Sequence, residues 1–176
     1  MSANLIAVTV VGNDRPGIVS AVARALFEAG CNLEDATSTI LRGHFAMMLV
    51  VQSPGDVDAP ELERRLSDAA RELELVITAR PVDVTDAEIA PPTHIVSVYG
   101  GDKPGIVFRV AEALGAAGAN ITDLTSRVIG SEERPVYAVM LEVSVESEAR
   151  LEEALAAARA ELGVDVTFHP LEVDLL

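Results

Sequence analysis

Gly12-Asn13-Asp14-Arg15-Pro16-Gly17-Ile18-Val19 and Gly100-Gly101-Asp102-Lys103-Pro104-Gly105-Ile106-Val107 are two versions of one stretch. In each, an apolar run ends at a glycine and a pattern of helical period begins around Pro-Gly. With residues 7–38 laid over 95–126, about 18 of 32 positions are identical, and self-similarity on that scale marks a duplicated unit.

Outward from the first copy, residues 4–11 are rich in β-branched side chains and predict a strand covered on at least one face. Pro16 suits the first helical position, where its missing N–H would have no partner anyway. Val19, Val22, Ala23 and Leu26 then recur at helical spacing, and Gly30 is the expected left-handed terminator. Residues 33–41 and 45–51 form a hairpin around Arg42-Gly43-His44, with a bulge expected at Gly43. Asp58 is the expected cap of a helix with Pro60 just inside and an apolar stripe at Leu62, Leu66, Ala69, Ala70 and Leu73. Residues 75–84 return as a strand.

The second copy repeats the plan: strand 94–99, helix 104–117 closed by Gly118, strands 120–129 and 137–145, helix 148–162 and strand 164–173. Its hairpin is longer by four residues, Gly130 to Pro135 replacing the shorter link, as an exposed loop permits. The order strand, helix, strand, strand, helix, strand predicts an α+β chain of two ferredoxin-like βαββαβ units, each an antiparallel sheet with both helices on one face. The expected boundaries are 1–84 and 93–176, with a Pro-containing linker at 85–92. Units of this size bury only about two-thirds of their unfolded surface, so side-by-side pairing is expected to add burial.

The formal charge of −15, with Lys103 the single lysine, would repel a phosphate backbone, so direct nucleic-acid binding is not expected. No apolar segment is long enough to span a membrane. The lone Cys31 excludes an internal disulfide, and the N-terminus lacks the pattern of a signal peptide, so a cytoplasmic protein is expected.

Two repeated clusters could carry chemistry. In the first, Gly12, Asn13, Asp14, Arg15, Pro16 and Gly17, matched by Gly100, Gly101, Asp102, Lys103, Pro104 and Gly105, lead into a helix N-terminus whose free amides suit a carboxylate or phosphate. The competing reading is that Asp14 itself caps the helix and occupies that place. In the second, Asn32 and Asn120 follow the helix-ending glycines, each with an Asp three positions on. An Asn offers both donors and an acceptor, as recognition of an amino acid requires, whereas the plainer reading is an Asx turn. His44, His94 and His169 lack metal-ligand spacing, so neither a metal nor a cofactor is expected. Ser20, Ser38 and Cys31 stand in no arrangement that would activate a nucleophile, and no catalytic residue is assigned.

Gly-x-Asp-Arg/Lys-Pro-Gly-Ile-Val, a helix ending Ala-Gly and then Asn-Leu/Ile-x-Asp, present twice, resembles the ACT domain over residues 4–84 and 93–173. The resemblance implies a regulatory role without catalysis: a small amino acid, glycine or serine, held between paired ACT units, and a partner protein whose activity follows. It implies that the loops 12–17 and 100–105 supply half of each site and Asn32 and Asn120 the facing half, the loop of one unit opposite the Asn of the other. A homo-oligomer is expected. Asn13 against Gly101 and Cys31 against Ala119 mean that two such sites would differ. A regulatory subunit of an amino-acid biosynthetic enzyme and a ligand-free interaction module are the alternatives.

Overall fold

The computed structural model describes residues 4–82, 90–131 and 134–171. The chain divides into two compact units, Met1–Asp86 and Ala87–Leu176. The first contains β1 (Asn4–Asn13), α1 (Ile18–Glu28), β2 (Asn32–Leu41), β3 (His44–Ser53), α2 (Ala59–Leu73) and β4 (Val76–Pro81). The second contains β5 (His94–Gly100), α3 (Ile106–Ala116), β6 (Asn120–Ser131), β7 (Arg134–Ser144), α4 (Glu148–Leu162) and β8 (Asp165–Pro170). Each sheet is antiparallel, in the orders β2-β3-β1-β4 and β6-β7-β5-β8. This is the βαββαβ plan expected. Parts of that reading, residues 83–84 of the fourth strand, 85–89 of the linker, Glu132 and Glu133 of the long hairpin and 172–173 of the last strand, lie outside the described residues.

Alternation decides which sheet face is covered. Ile6, Val8 and Val10 of β1 are buried, as are Phe45, Met47, Leu49 and Val51 of β3, and they pack with Ile18, Val22 and Leu26 of α1 and Leu62 and Leu66 of α2. In the second unit Val96, Val98, Val139, Leu141 and Val143 meet Ile106, Val110 and Leu114 of α3 and Leu151 and Leu155 of α4. Burying one such aliphatic side chain is worth about 1.5–3 kcal/mol, and each unit has its own cluster. The edge strand β2 is exposed along its whole length, as is nearly all of β6. Among the described residues no helix is long and apolar enough to cross a membrane.

Three local features differ from expectation. Pro16 is not helical: α1 begins at Ile18, and Gly17 precedes it at φ 98°, a left-handed conformation open to a residue without a Cβ; Gly105 at 95° does the same for α3. The β2–β3 link has no bulge at Gly43, since Arg42 (φ 49°) and Gly43 (φ 81°) both take the positive φ that a tight two-residue hairpin demands. The bulge lies instead at the start of the edge strands, between Leu33 and Asp35 and again between Ile121 and Asp123. The Asp58 cap forms as expected, its carboxylate accepting from the Glu61 amide at 2.9 Å.

Candidate functional site

The site is built on the turn from β1 to α1 and its twin from β5 to α3. At the end of β1, Gly12 stands opposite Phe45, and Gly100 likewise stands opposite Tyr137. At both glycines packing leaves little room for a side chain. A Cβ on Gly12 would lie 2.6 Å from Leu75 Cδ2, and one on Gly100 would lie 2.5 Å from Val164 Cγ1. The close approach that Gly12 permits is therefore to its own unit's helix-to-strand connection. A Cβ at Gly101, by contrast, would meet nothing within 4 Å.

Beyond Gly12 the chain leaves the sheet through Asn13, and the Asp14 amide donates to the Gly43 carbonyl at 2.8 Å, tying the turn to the hairpin beside it. Arg15 reaches sideways, its Nη2 2.9 Å from Glu74 Oε2. Pro16 and Gly17 make the final turn into α1. Ser20 donates its hydroxyl to the Gly17 carbonyl at 2.9 Å, and that carbonyl also accepts the Ala21 amide.

No side chain caps α1 or α3. Asp14 does not fold back onto the helix, so the reading in which its carboxylate fills the anion position is not the one the structure adopts. Among the described residues, the first-turn amides of both helices have no side-chain acceptor, the condition under which a helix N-terminus attracts an anion. Around the second turn, Asp102, Lys103, Pro104, Gly105, Phe108 and Tyr137 line a cavity of about 450 Å³. It brings a lysine, a tyrosine and an uncapped helix end to one place. Tyr137 was not among the expected residues. The signal that could have found it is the cross-strand register, which sets an aromatic residue opposite the glycine in both copies.

Asn32 and Asn120 lie elsewhere in their own units. Asn32 opens β2 opposite Gln52, which pairs in turn with Leu5 near the start of β1. At a strand rise of 3.3–3.4 Å per residue, this is about 24 Å from the Gly12 end of the sheet. Asn120 opens β6 opposite Ser144 in the same way. Both are exposed; Asn32 Nδ2 donates to Glu34 Oε1 at 2.8 Å. Within one unit, then, loop and Asn do not meet. Cys31 is half-buried, and burial pushes its thiol upward against a smaller opposing pull from Arg65. Among the described residues no three His, Cys, Asp or Glu side chains gather at one point.

Known proteins share this fold. The ACT domain profile matches twice, over residues 4–80 and 93–169. The glycine cleavage system transcriptional repressor of Escherichia coli is 28% identical over 154 residues, covering 87% of this chain and 80% of that protein. A phosphoserine phosphatase of Mycobacterium tuberculosis is 30% identical over 163 residues, which take in 90% of this chain but 39% of the enzyme. Among solved structures, a protein of unknown function from Galdieria sulphuraria superposes with a TM-score of 0.81 at 25% identity, covering 97% of this chain and 99% of that one. A protein assigned provisionally as a glycine cleavage system transcriptional repressor superposes at 0.73 and 19% identity, with the same coverage, and so shares the fold.

Proposed function

The chain belongs to the ACT domain family, and from that premise we propose that it is a non-catalytic regulator that senses a small amino acid and passes its state to a partner protein. The observation that supports this most directly is the uncapped start of α1 and α3 behind a glycine turn, twice in one chain. Such an end favours a carboxylate by amide donation and helix dipole together. In the proposed mode Gly12–Gly17 and Gly100–Gly105 hold the carboxylate, with Lys103 adding charge in the second. Asn32 and Asn120 serve the ammonium of a ligand held by another unit's loop. Glycine and serine are the first ligands to test, because small side chains fit turns this close to the backbone. Likeness to the glycine cleavage repressor favours transcriptional regulation of glycine use as the setting.

A ligand that binds one arrangement of the units better than another shifts the population towards it by that difference in affinity. No side chain needs to react. Calorimetric titration of the whole chain against the proteinogenic amino acids tests the proposal: saturable heat with one or a few small ones is expected, and silence across the panel at millimolar concentration would overturn it.

A second reading, a tandem regulatory module serving a metabolic enzyme, is favoured by the match to a segment of the phosphatase. Co-purification separates the two, a catalytic chain supporting the second and a transcription factor the first.

A further inference from the structure

The helices cover one face of each sheet, and in the second unit the opposite face is laid out in rows. The strand register places Thr125, Met140, Ser97 and Thr167 side by side across β6, β7, β5 and β8. On one side of this row lie Asp123, Glu142, Ile95 and His169. On the other lie Arg127, Ala138, Tyr99 and Asp165. These positions alternate with the buried Val96, Val98, Val139, Leu141 and Val166, and therefore point away from the helices. Asp123, Arg127, Ile95, Tyr99 and Met140 line a single cavity of about 460 Å³, and Met140 is 48% exposed.

We propose that this face is where two copies of the chain associate, sheet against sheet, about a two-fold axis running along the Thr125–Met140–Ser97–Thr167 row. Such a rotation reverses each strand end for end and lays β6 over its own counterpart. Asp123 then comes over the partner's Arg127, His169 over the partner's Asp165, and Ile95 over the partner's Tyr99. Met140 meets the partner's Met140 on the axis. A two-fold interface must be complementary to itself: in three of the four facing pairs acid meets base or apolar meets aromatic, and in the fourth Glu142 lies over the partner's Ala138, next to the partner's Arg127 in the row.

The first unit shows that this is not a general property of the fold. Its corresponding rows are Asp35, Val50, Ala7 and Arg80 on one side of Thr37–Met48–Thr9–Thr78, and Thr39, Ala46, Val11 and Val76 on the other. The same rotation would set Asp35 over Thr39 and Arg80 over Val76, pairing no charges. Four strands about 4.8 Å apart and seven residues long present a footprint of about 400 Å². Two such faces bury about 800 Å² before side-chain relief is counted, which belongs with weak, concentration-dependent association. Sheets packed in this way lie about 10 Å apart and within about 30° of alignment, inside the reach of Arg, His and Tyr.

Sedimentation velocity of the whole chain across a concentration series tests the proposal. A dimer is expected to grow in with concentration and to weaken in high salt. Asp123→Arg alone and Arg127→Asp alone should each weaken it about tenfold or more, since each sets like charges together. The double reversal, Asp123→Arg with Arg127→Asp, restores the pairing with its signs exchanged and should recover most of the loss. Thr39→Asp in the first unit should leave association unchanged. A monomer throughout, single reversals without effect, a double reversal as weak as the singles, or a loss on Thr39→Asp would each overturn the assignment. Asp123, Arg127 and Thr39 are all exposed, so circular dichroism should show every variant folded.

Discussion

Replacing Gly100 by Ala should destabilise the second unit more than replacing Gly12 by Ala destabilises the first. Neither glycine is among those with positive φ, so Ala can adopt both backbones and the cost is one of space. At Gly12 the obstacle is Leu75 Cδ2 at 2.6 Å, the end of a side chain that can rotate, with the Glu74 carbonyl next at 3.3 Å. At Gly100 the new methyl would meet Val164 Cγ1 at 2.5 Å and Val164 Cβ at 3.1 Å. Val164 is buried, and rotation about its Cα–Cβ bond cannot relieve the contact at Cβ, its stiff branch point.

Overpacking of this kind costs about 1–3 kcal/mol, against which loss of unfolded-state freedom returns about 0.4–1 kcal/mol. A net cost of about 1.5 kcal/mol is expected for Gly100→Ala and of about 0.5 kcal/mol or less for Gly12→Ala. At about 4–8 °C per kcal/mol for a unit of this size, Gly100→Ala should lower the melting temperature of the second unit by about 6–12 °C. The chain supplies its own reporter: it has no tryptophan, and both tyrosines, Tyr99 and Tyr137, lie in the second unit. Tyrosine fluorescence follows that unit alone, whereas far-ultraviolet circular dichroism follows both. Equal losses, or a larger loss for Gly12→Ala, would refute the argument that the stiffness of Val164 makes the difference.

Glu74 ends α2 in a left-handed conformation (φ 55°), where the second unit has Gly163 (φ 62°). Glu74→Gly should therefore stabilise the first unit by about 1 kcal/mol in urea unfolding, relieving backbone strain at the cost of one exposed pair with Arg15. Glu61 hydrogen-bonds Arg64 and Arg65, which hold its carboxyl down to about 2. Because its folded value is depressed, its contribution is present above the unfolded value near 4.5 and fades as pH falls towards 2. Glu61→Gln should flatten that part of the stability profile measured by denaturation from pH 5 to 2. Cys31, its thiol pushed up by burial, should react with a disulfide reagent at pH 8 more slowly in the folded chain than in urea.

Much of the architecture was legible because it rests on local periodicity and punctuation. The alternation in β1 and β3, the stripes of α1 and α2, the Asp58 cap and the glycines after α1 and α3 need no long-range information. Pro16 misled because its fixed φ suits a helix start, whereas the left-handed Gly17 moves that start two residues on. The role of Gly12 was legible only in part: a glycine announces a close approach, but its object, Leu75, is 63 positions away and depends on how β4 returns beside β1. The bulges at Leu33 and Ile121 left no glycine to mark them. Tyr137 was hidden because its place opposite Gly100 follows from register. Glu74 shows a residue type that local preference would not select, held by the helix end before it and the strand after it.

The outer edges of β2 and β6 remain, open along strands of 10 and 12 residues. Among the described residues each of these strands pairs within its sheet on one side alone, so alternate amides face outward with no sheet partner there. Hydrogen exchange along them should fall into a two-beat pattern, with inward amides protected by β3 or β7 and outward ones exchanging at rates close to those of an unstructured peptide. Whatever docks along those edges, a neighbouring sheet or a peptide, would silence the fast beat and leave the slow one untouched, so the strands carry a built-in recorder of their own occupancy.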